Sequence, residues 1–218
     1  MTWMRSLLIV LLLRPIARLF AGADIQGREH LPTHGPAIVA ANHNSHVDTL
    51  LLLTIFPART LRRVRPAAAA DYFLSNPVIG WFSRRIIGIV PVERNKVGAG
   101  ADVLAPARAA LESGDIVVIF PEGTRGATGE AMSPLKSGVA RLAEAVPTAP
   151  VTPIWIQGAG RVLPKGRIIP VPFICSVIVG EPVHWRGDRA AFMAELKTAL
   201  ETLRAMAPPL RWRAEDDG

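Results

Sequence analysis

The chain has 218 residues, half of them hydrophobic, which suits one domain with a terminal appendage and excludes an intrinsically disordered polypeptide. Its formal charge of +7, from 25 Lys and Arg against 18 Asp and Glu, fits a basic soluble surface or an anionic partner: lipid, a phosphorylated substrate, an acidic carrier protein or nucleic acid. A single cysteine, Cys175, excludes both a disulfide framework within the chain and a cysteine-based zinc site.

"SLLIVLLL" at residues 6–13 is strongly apolar but short. A spanning helix needs about 20 apolar residues, and Arg14, Pro15 and Arg18 interrupt this one. "AGA" at 21–23 has the form of a signal cleavage site, but the two arginines lie between it and the apolar stretch. The preferred expectation is a helix in the membrane interface, with Arg5, Arg14 and Arg18 reaching headgroups. The competing expectation docks this helix on the protein's own core.

Further along, "PAIVAAN" (36–42) reads as a buried strand and "SHVDTLLLLTIF" (45–56) as a helix closed by Pro57. "RPAAAADYF" (65–73) permits helix or strand. "NPVIGWFSRRIIGIVPVER" (76–94) predicts a short helix and then a strand within "IIGIVPV". Residues 100–114 read as a helix despite Pro106, and "DIVVIF" (115–120) is the clearest strand. A helix over 137–146, strands at 150–156 and 173–180 with Cys175 buried, and a helix over 187–206 capped by Asp188 complete the series. Alternating strands and helices predict an α/β fold: a single-domain, mixed but mostly parallel sheet covered by helices on both faces, preceded by an apolar N-terminal helix. The expected organisation is a membrane-interface helix at 1–24, the main domain at 25–207 and a flexible tail at 208–218.

Three strand exits carry charge. "NHNSHVD" follows the first strand. If 43–48 were all helical, His43 and Asp48 would point about 140° apart. They meet only if His43 lies in the turn before the helix and Asp48 in its first turn. Ser45 and Asp48 also match a capping box, which is compatible with that placement. A His43/His46 metal pair lacks the third ligand a catalytic zinc requires. "FPEGTRG" (120–126) follows the strongest strand and sets Glu122, Thr124 and Arg125 around a turn tightened by Pro121 and Gly123. It reads either as an ordinary turn with a solvated ion pair or as an anion clamp. "GIVPVER" (88–94) ends on Glu93 and Arg94. In open α/β sheets ligands collect beyond the carboxyl ends of strands, so three such exits together point to a site.

In order and spacing, these blocks resemble the glycerolipid acyltransferases, typified by bacterial 1-acylglycerol-3-phosphate acyltransferases. "NHNSHVD" is similar to their Asn-His-x-x-x-x-Asp block, "GIVPVER" to their second, "FPEGTRG" to their third and "APVTPIWI" to their fourth. The resemblance implies acyl transfer from acyl-CoA or acyl carrier protein to the free hydroxyl of 1-acylglycerol-3-phosphate, giving phosphatidic acid. By that mapping His43 is the general base and Asp48 orients its ring. Arg94 and Arg125 hold the acceptor's phosphate, Glu122 and Gly123 shape the site with Thr124 between them and Arg125, and Lys136 of "LKSG" assists with phosphate. It further implies no metal and no cofactor beyond the acyl donor, membrane lipids as partners, and a peripheral or monotopic position on the cytoplasmic face of the membrane. Trp81 either lines an acyl channel or sits in the core. Two rivals stand beside this reading: an acceptor of another kind (another lysolipid, an ornithine lipid or a glycolipid) and a non-catalytic membrane-surface lipid-binding protein. "RTLRRVR" lacks the aromatic-basic interleaving of a nucleic-acid site, so no nucleic-acid partner is expected.

Overall fold

The computed structural model describes residues 2–20, 22–45, 47–69, 77–92, 102–123, 132–162 and 173–209; at 2, 3, 18–20 and 77–79 the description is of backbone only. Seven strands form one sheet in the order β1-β7-β6-β2-β5-β3-β4. They are β1 (Ala23–Gln26), β2 (Ala37–Ala41), β3 (Val64–Ala69), β4 (Val90–Val92), β5 (Ile116–Ile119), β6 (Val151–Gln157) and β7 (Cys175–Val179). β6, β2, β5, β3 and β4 run parallel, and the antiparallel pairing of β6 with β7 reverses β7 and its parallel neighbour β1. This is the mixed, mostly parallel sheet that the alternating pattern predicts.

The strand period of two sorts the core into two layers. Ala37, Val39 and Ala41 of β2 face one layer, with Ile116 and Val118 of β5. Ile38 and Ala40 face the other, with Val117. On the first face lie α3 (Val47–Ile55), α4 (Ala58–Leu61) and the N-terminal helix, which is built from α1 (Thr2–Leu8), a π-helical stretch (Ile9–Leu13) and α2 (Arg14–Phe20). On the second lie α6 (Ala105–Glu112), α7 (Gly138–Ala145) and α9 (Arg189–Met206). Two further helices are α5 (Pro77–Phe82), continued by a π-helical turn (Ser83–Ile87), and α8 (Ala159–Val162). Every strand in the middle of the sheet is covered on both sides, which is why β2 and β6 are buried along their whole length.

Several local expectations change. Of the ambiguous stretch 65–73, Arg65 to Ala69 are strand, since β3 pairs with both β5 and β4; residues 70–73 lie outside the described residues. The strand expected within "IIGIVPV" is shorter: Ile86 and Ile87 finish the π-helical turn, and pairing begins only at Val90. The helix expected from residue 100 starts at Ala105, where Pro106 occupies the first turn and interrupts no helical hydrogen bond. Asp188 caps α9 as expected, accepting from the Ala191 amide at 2.7 Å.

The N-terminal helix is docked on the core, with Ile9 fully buried. Two of its arginines turn inward, against the expectation that they reach headgroups. Arg5 is buried, and Arg14 donates to the Phe56 carbonyl. Most of their carbonyl partners stand at helix ends, and all of them bury a guanidinium at lower cost than apolar surroundings would. The opposite side of the same helix stays bare: Met4, Leu7, Leu11, Leu12 and Ile16 are exposed. Trp81, 60% exposed, and Phe82 on α5 are exposed as well, so Trp81 is not a core residue. No described helix is long and apolar enough to cross a membrane.

Candidate active site

Because β2, β5, β3 and β4 are parallel, their carboxyl ends share one edge of the sheet. Just past β2, the Asn42 side chain behaves as an extra strand residue. Its Oδ1 accepts from the Ile156 amide at 2.6 Å and its Nδ2 donates to the Ile156 carbonyl at 2.8 Å. This closes the gap to β6 and fixes where His43 leaves the sheet.

His43 lies before α3 and Asp48 in its first turn. His43 Nδ1 is 3.0 Å from Asp48 Oδ2. The same carboxylate oxygen accepts the backbone N–H of Asn44 at 2.6 Å and of Ser45 at 2.8 Å. The Ser45 hydroxyl accepts from Val47 at 3.3 Å. Cap and side-chain pair are therefore one structure. The capping carboxylate that starts α3 also holds the imidazole. Asp48 is fully buried, while the His43 side chain keeps 18% of its surface exposed. With Nδ1 facing a carboxylate, the neutral ring carries its proton there and Nε2 is left as the basic nitrogen.

The turn after β5 supplies the other wall. Phe120 stacks on the His43 ring, with centroids 4.1 Å apart and planes 21° from parallel. Glu122 is buried, its Oε1 accepting the His43 amide at 3.0 Å and its Oε2 the Ser133 amide at 3.1 Å. It is thus a strut joining the loop of His43 to the segment after residue 131, rather than half of a solvated ion pair. Gly123 sits at φ +71°, and a Cβ there would come within 2.8 Å of the Lys136 side chain. The Lys136 amide donates to the Pro121 carbonyl at 2.8 Å, so its exposed side chain is held over this turn.

His43, Asp48, Glu122, Gly123 and Lys136 are accordingly assembled at one strand edge. Arg94, Thr124 and Arg125 lie outside the described residues, as do Glu93 and His46. Asn42 and Phe120 belong to the assembly although sequence reasoning assigned them no role. The signal in the sequence was their place inside the two matched blocks, Asn42 opening "NHNSHVD" and Phe120 opening "FPEGTRG".

Cys175 on β7 is a poor nucleophile. Burial, with the Asp48 charge adding to it, pushes its thiol up to about 12. It stays protonated at neutral pH and offers no thiolate to accept an acyl group. A separate shallow groove of about 130 Å³ opens between α6 and α7, lined by Asp102, Arg108, Arg141 and Glu144. Its Arg108 is paired with Asp102 at 2.9 Å, and it does not include His43.

A family model described as Acyltransferase matches residues 22–157. The chain belongs to the acyltransferase family. The matched stretch runs from just before β1 to the end of β6, so the acyltransferase match contains His43, Asp48, Glu122, Gly123 and Lys136. Among curated relatives, a chloroplastic 1-acyl-sn-glycerol-3-phosphate acyltransferase of Brassica napus is 33% identical over 67% of this chain and 40% of its own length. The chloroplastic enzyme of the same name from Arabidopsis thaliana is 30% identical over 76% of this chain and 44% of its own. The chain thus spans less than half the length of these plant relatives. The 1-acyl-sn-glycerol-3-phosphate acyltransferase of Bacillus subtilis is 32% identical over 94% of this chain and 92% of its own. The crystal structure of the 1-acyl-sn-glycerophosphate acyltransferase of Thermotoga maritima shares the fold, with a TM-score of 0.72 over 97% of this chain and 88% of that one, at 22% identity.

Proposed function

We propose that this acyltransferase-family protein moves a fatty acyl group from acyl-CoA or acyl carrier protein to the free hydroxyl of 1-acylglycerol-3-phosphate, forming phosphatidic acid. The observation that carries the reading is the 3.0 Å contact between His43 Nδ1 and Asp48 Oδ2, which leaves the opposite ring nitrogen free to accept a proton.

An alcohol is a weak nucleophile at neutral pH. In this mechanism His43 Nε2 removes the hydroxyl proton as the oxygen attacks the thioester carbonyl. Asp48 stabilises the imidazolium that forms. Collapse of the tetrahedral intermediate breaks the carbon–sulfur bond, and the proton passes from His43 to the departing thiolate. The thioester is already activated, so no acyl-enzyme is required. Glu122 keeps the His43 backbone in place, and Phe120 walls the ring on one face. Lys136, Arg94 and Arg125 bind the acceptor phosphate, admitted past the turn at Gly123 that Thr124 follows in sequence; guanidinium forks match phosphate oxygens well. No cofactor beyond the acyl donor enters this scheme.

The helix over 2–20 serves as the interfacial element, while Ala23 and Asp24, expected within it, belong to β1 of the acyltransferase domain. The exposed apolar side of the N-terminal helix, with Trp81 and Phe82, supports a peripheral or monotopic position at a membrane surface, and the proposed side is the cytoplasmic face.

The test offers purified protein a labelled acyl donor and a panel of acceptors: lysophosphatidate, other lysophospholipids, an ornithine lipid and a glycolipid. Lysophosphatidate is the expected substrate, and His43→Ala is expected to lower the rate by about 10²- to 10⁴-fold with vesicle binding retained. Indifference to lysophosphatidate alongside turnover of another acceptor would replace the substrate assignment. Full activity in His43→Ala would remove the mechanism.

A further inference from the structure

Arg5 does something more specific than pack. Its guanidinium donates to four backbone carbonyls: Nη1 to Leu61 at 2.6 Å, Nη2 to Val64 at 2.8 Å and to Ile87 at 2.5 Å, and Nε to Ile86 at 2.9 Å. Leu61 ends α4, Ile86 and Ile87 end the π-helical turn after α5, and Val64 opens β3. The last carbonyls of a helix have no partner within it and carry partial negative charge. One planar fork therefore caps two helix termini that lie far apart in the chain.

Gly88 makes the space. It closes the π-helical turn at φ +73°, and a Cβ on it would fall 2.6 Å from the guanidinium carbon. Burial lowers Arg5 to about 10, with Arg65 acting in the same direction and Asp115 against it, so the side chain remains a cation at neutral pH. Burying a cation is costly, and a helix that needed only adhesion would manage with leucine. What the charge adds is direction. Four carbonyls fix the rotation and height of α1 against α4, β3 and the turn that feeds β4. β3 in turn pairs with β5, whose exit carries Glu122, and with β4, which leads in sequence to Arg94.

We propose that Arg5 is a positioning residue that locks the apolar N-terminal helix to the β3–β4 side of the sheet, so that the substrate-binding edge stands at a set height above the lipid surface on which that helix rests. The proposal builds on the interfacial acyl-transfer reading. Loss of the latch leaves the chemistry at His43 intact but lets the helix move relative to the acceptor-binding edge. The penalty then falls on acceptors drawn from a bilayer and spares those free in water.

The experiment compares wild type, Arg5→Lys, Arg5→Met and Gly88→Ala on two presentations of lysophosphatidate: in phosphatidylglycerol-containing vesicles, and as a short-chain form below its micelle concentration. Arg5→Met and Gly88→Ala are expected to raise KM for the vesicle acceptor about tenfold, with kcat and the monomeric acceptor's KM changed less than about twofold. Arg5→Lys, which keeps a donor cation, should recover part of the loss. Hydrogen exchange on the full-length protein should show residues 83–92 deprotected in Arg5→Met and Gly88→Ala, with vesicle binding unchanged. Equal losses on both presentations would reduce Arg5 to a general stabiliser, and wild-type vesicle kinetics in both variants would overturn the latch outright. If Arg5→Met does not fold, Arg5→Lys and Gly88→Ala make the same comparison. Failure of the wild type to acylate lysophosphatidate would instead strike the substrate assignment; the exchange data would still decide whether Arg5 holds this turn.

Discussion

Asp48 collects three donors on one oxygen: the His43 ring and the amides of Asn44 and Ser45. Hydrogen bonds to a carboxylate are stronger than those to a neutral amide, so Asp48→Asn removes the charge while nearly preserving shape. Its amide oxygen can still accept, but an imidazolium formed beside it has no anion to meet. The expected outcome is a fall in kcat of at least about 10²-fold, with a stability loss of about 1 to 3 kcal/mol, read from steady-state kinetics and urea unfolding. The His43–Asp48 relation was legible in the sequence because it is local: five residues, a strand exit and a capping pattern left one geometry in which the two could touch. Glu122 was only half legible. Its place after the strongest strand was plain, but its partners are the amides of His43 and Ser133, which no residue type advertises. The stack of Phe120 on His43 joins two strand exits and was equally hidden.

Strand exits become a site here because neighbouring strands are joined beyond their last ladder bond. Asn42 performs that joining between β2 and β6, across 114 residues of chain. Asn42→Ala leaves the Ile156 amide and carbonyl unpaired in a buried place. A cost of about 2 to 4 kcal/mol is expected from two such groups, seen as a lower urea midpoint, together with reduced kcat as the loop of His43 loosens. At this scale periodicity served well for the central strands and for α9, whose apolar residues recur at helical or strand spacing. It left the outcome open, or misplaced a boundary, where packing decided between local preferences. Alanine-rich β3 is strand because β4 and β5 flank it, and "IIGIV" is part helix because its terminal carbonyls find Arg5.

Taken whole, the molecule exposes an unusual amount of apolar surface on its N-terminal helix and on α5. Met4, Leu7, Leu11, Leu12 and Ile16 line the outer side of the N-terminal helix, and Trp81 and Phe82 add aromatic area. Apolar burial is worth roughly 25 cal/mol per Å², so placing a charge at the 66% exposed Leu11 strikes directly at the proposed membrane contact. Leu11→Glu is expected to weaken vesicle binding by at least about tenfold, or 1.4 kcal/mol, in a flotation assay, while the thermal midpoint stays within about 2 °C because an exposed position contributes little to the core. The α/β architecture and the apolar helix were both visible in composition and pattern. Which arginines turned inward was not, since a guanidinium beside hydrophobic residues looks the same in sequence whether it meets a headgroup or a helix end.

The buried, protonated thiol of Cys175 has a practical corollary. It is the chain's one native cysteine and sits where maleimide reagents do not readily reach, so a second cysteine placed on the surface becomes a nearly exclusive attachment point for a dye. A fluorophore at Trp81→Cys, quenched in turn by lipids brominated at different carbons of the acyl tail, would act as a depth gauge for the proposed contact with a bilayer.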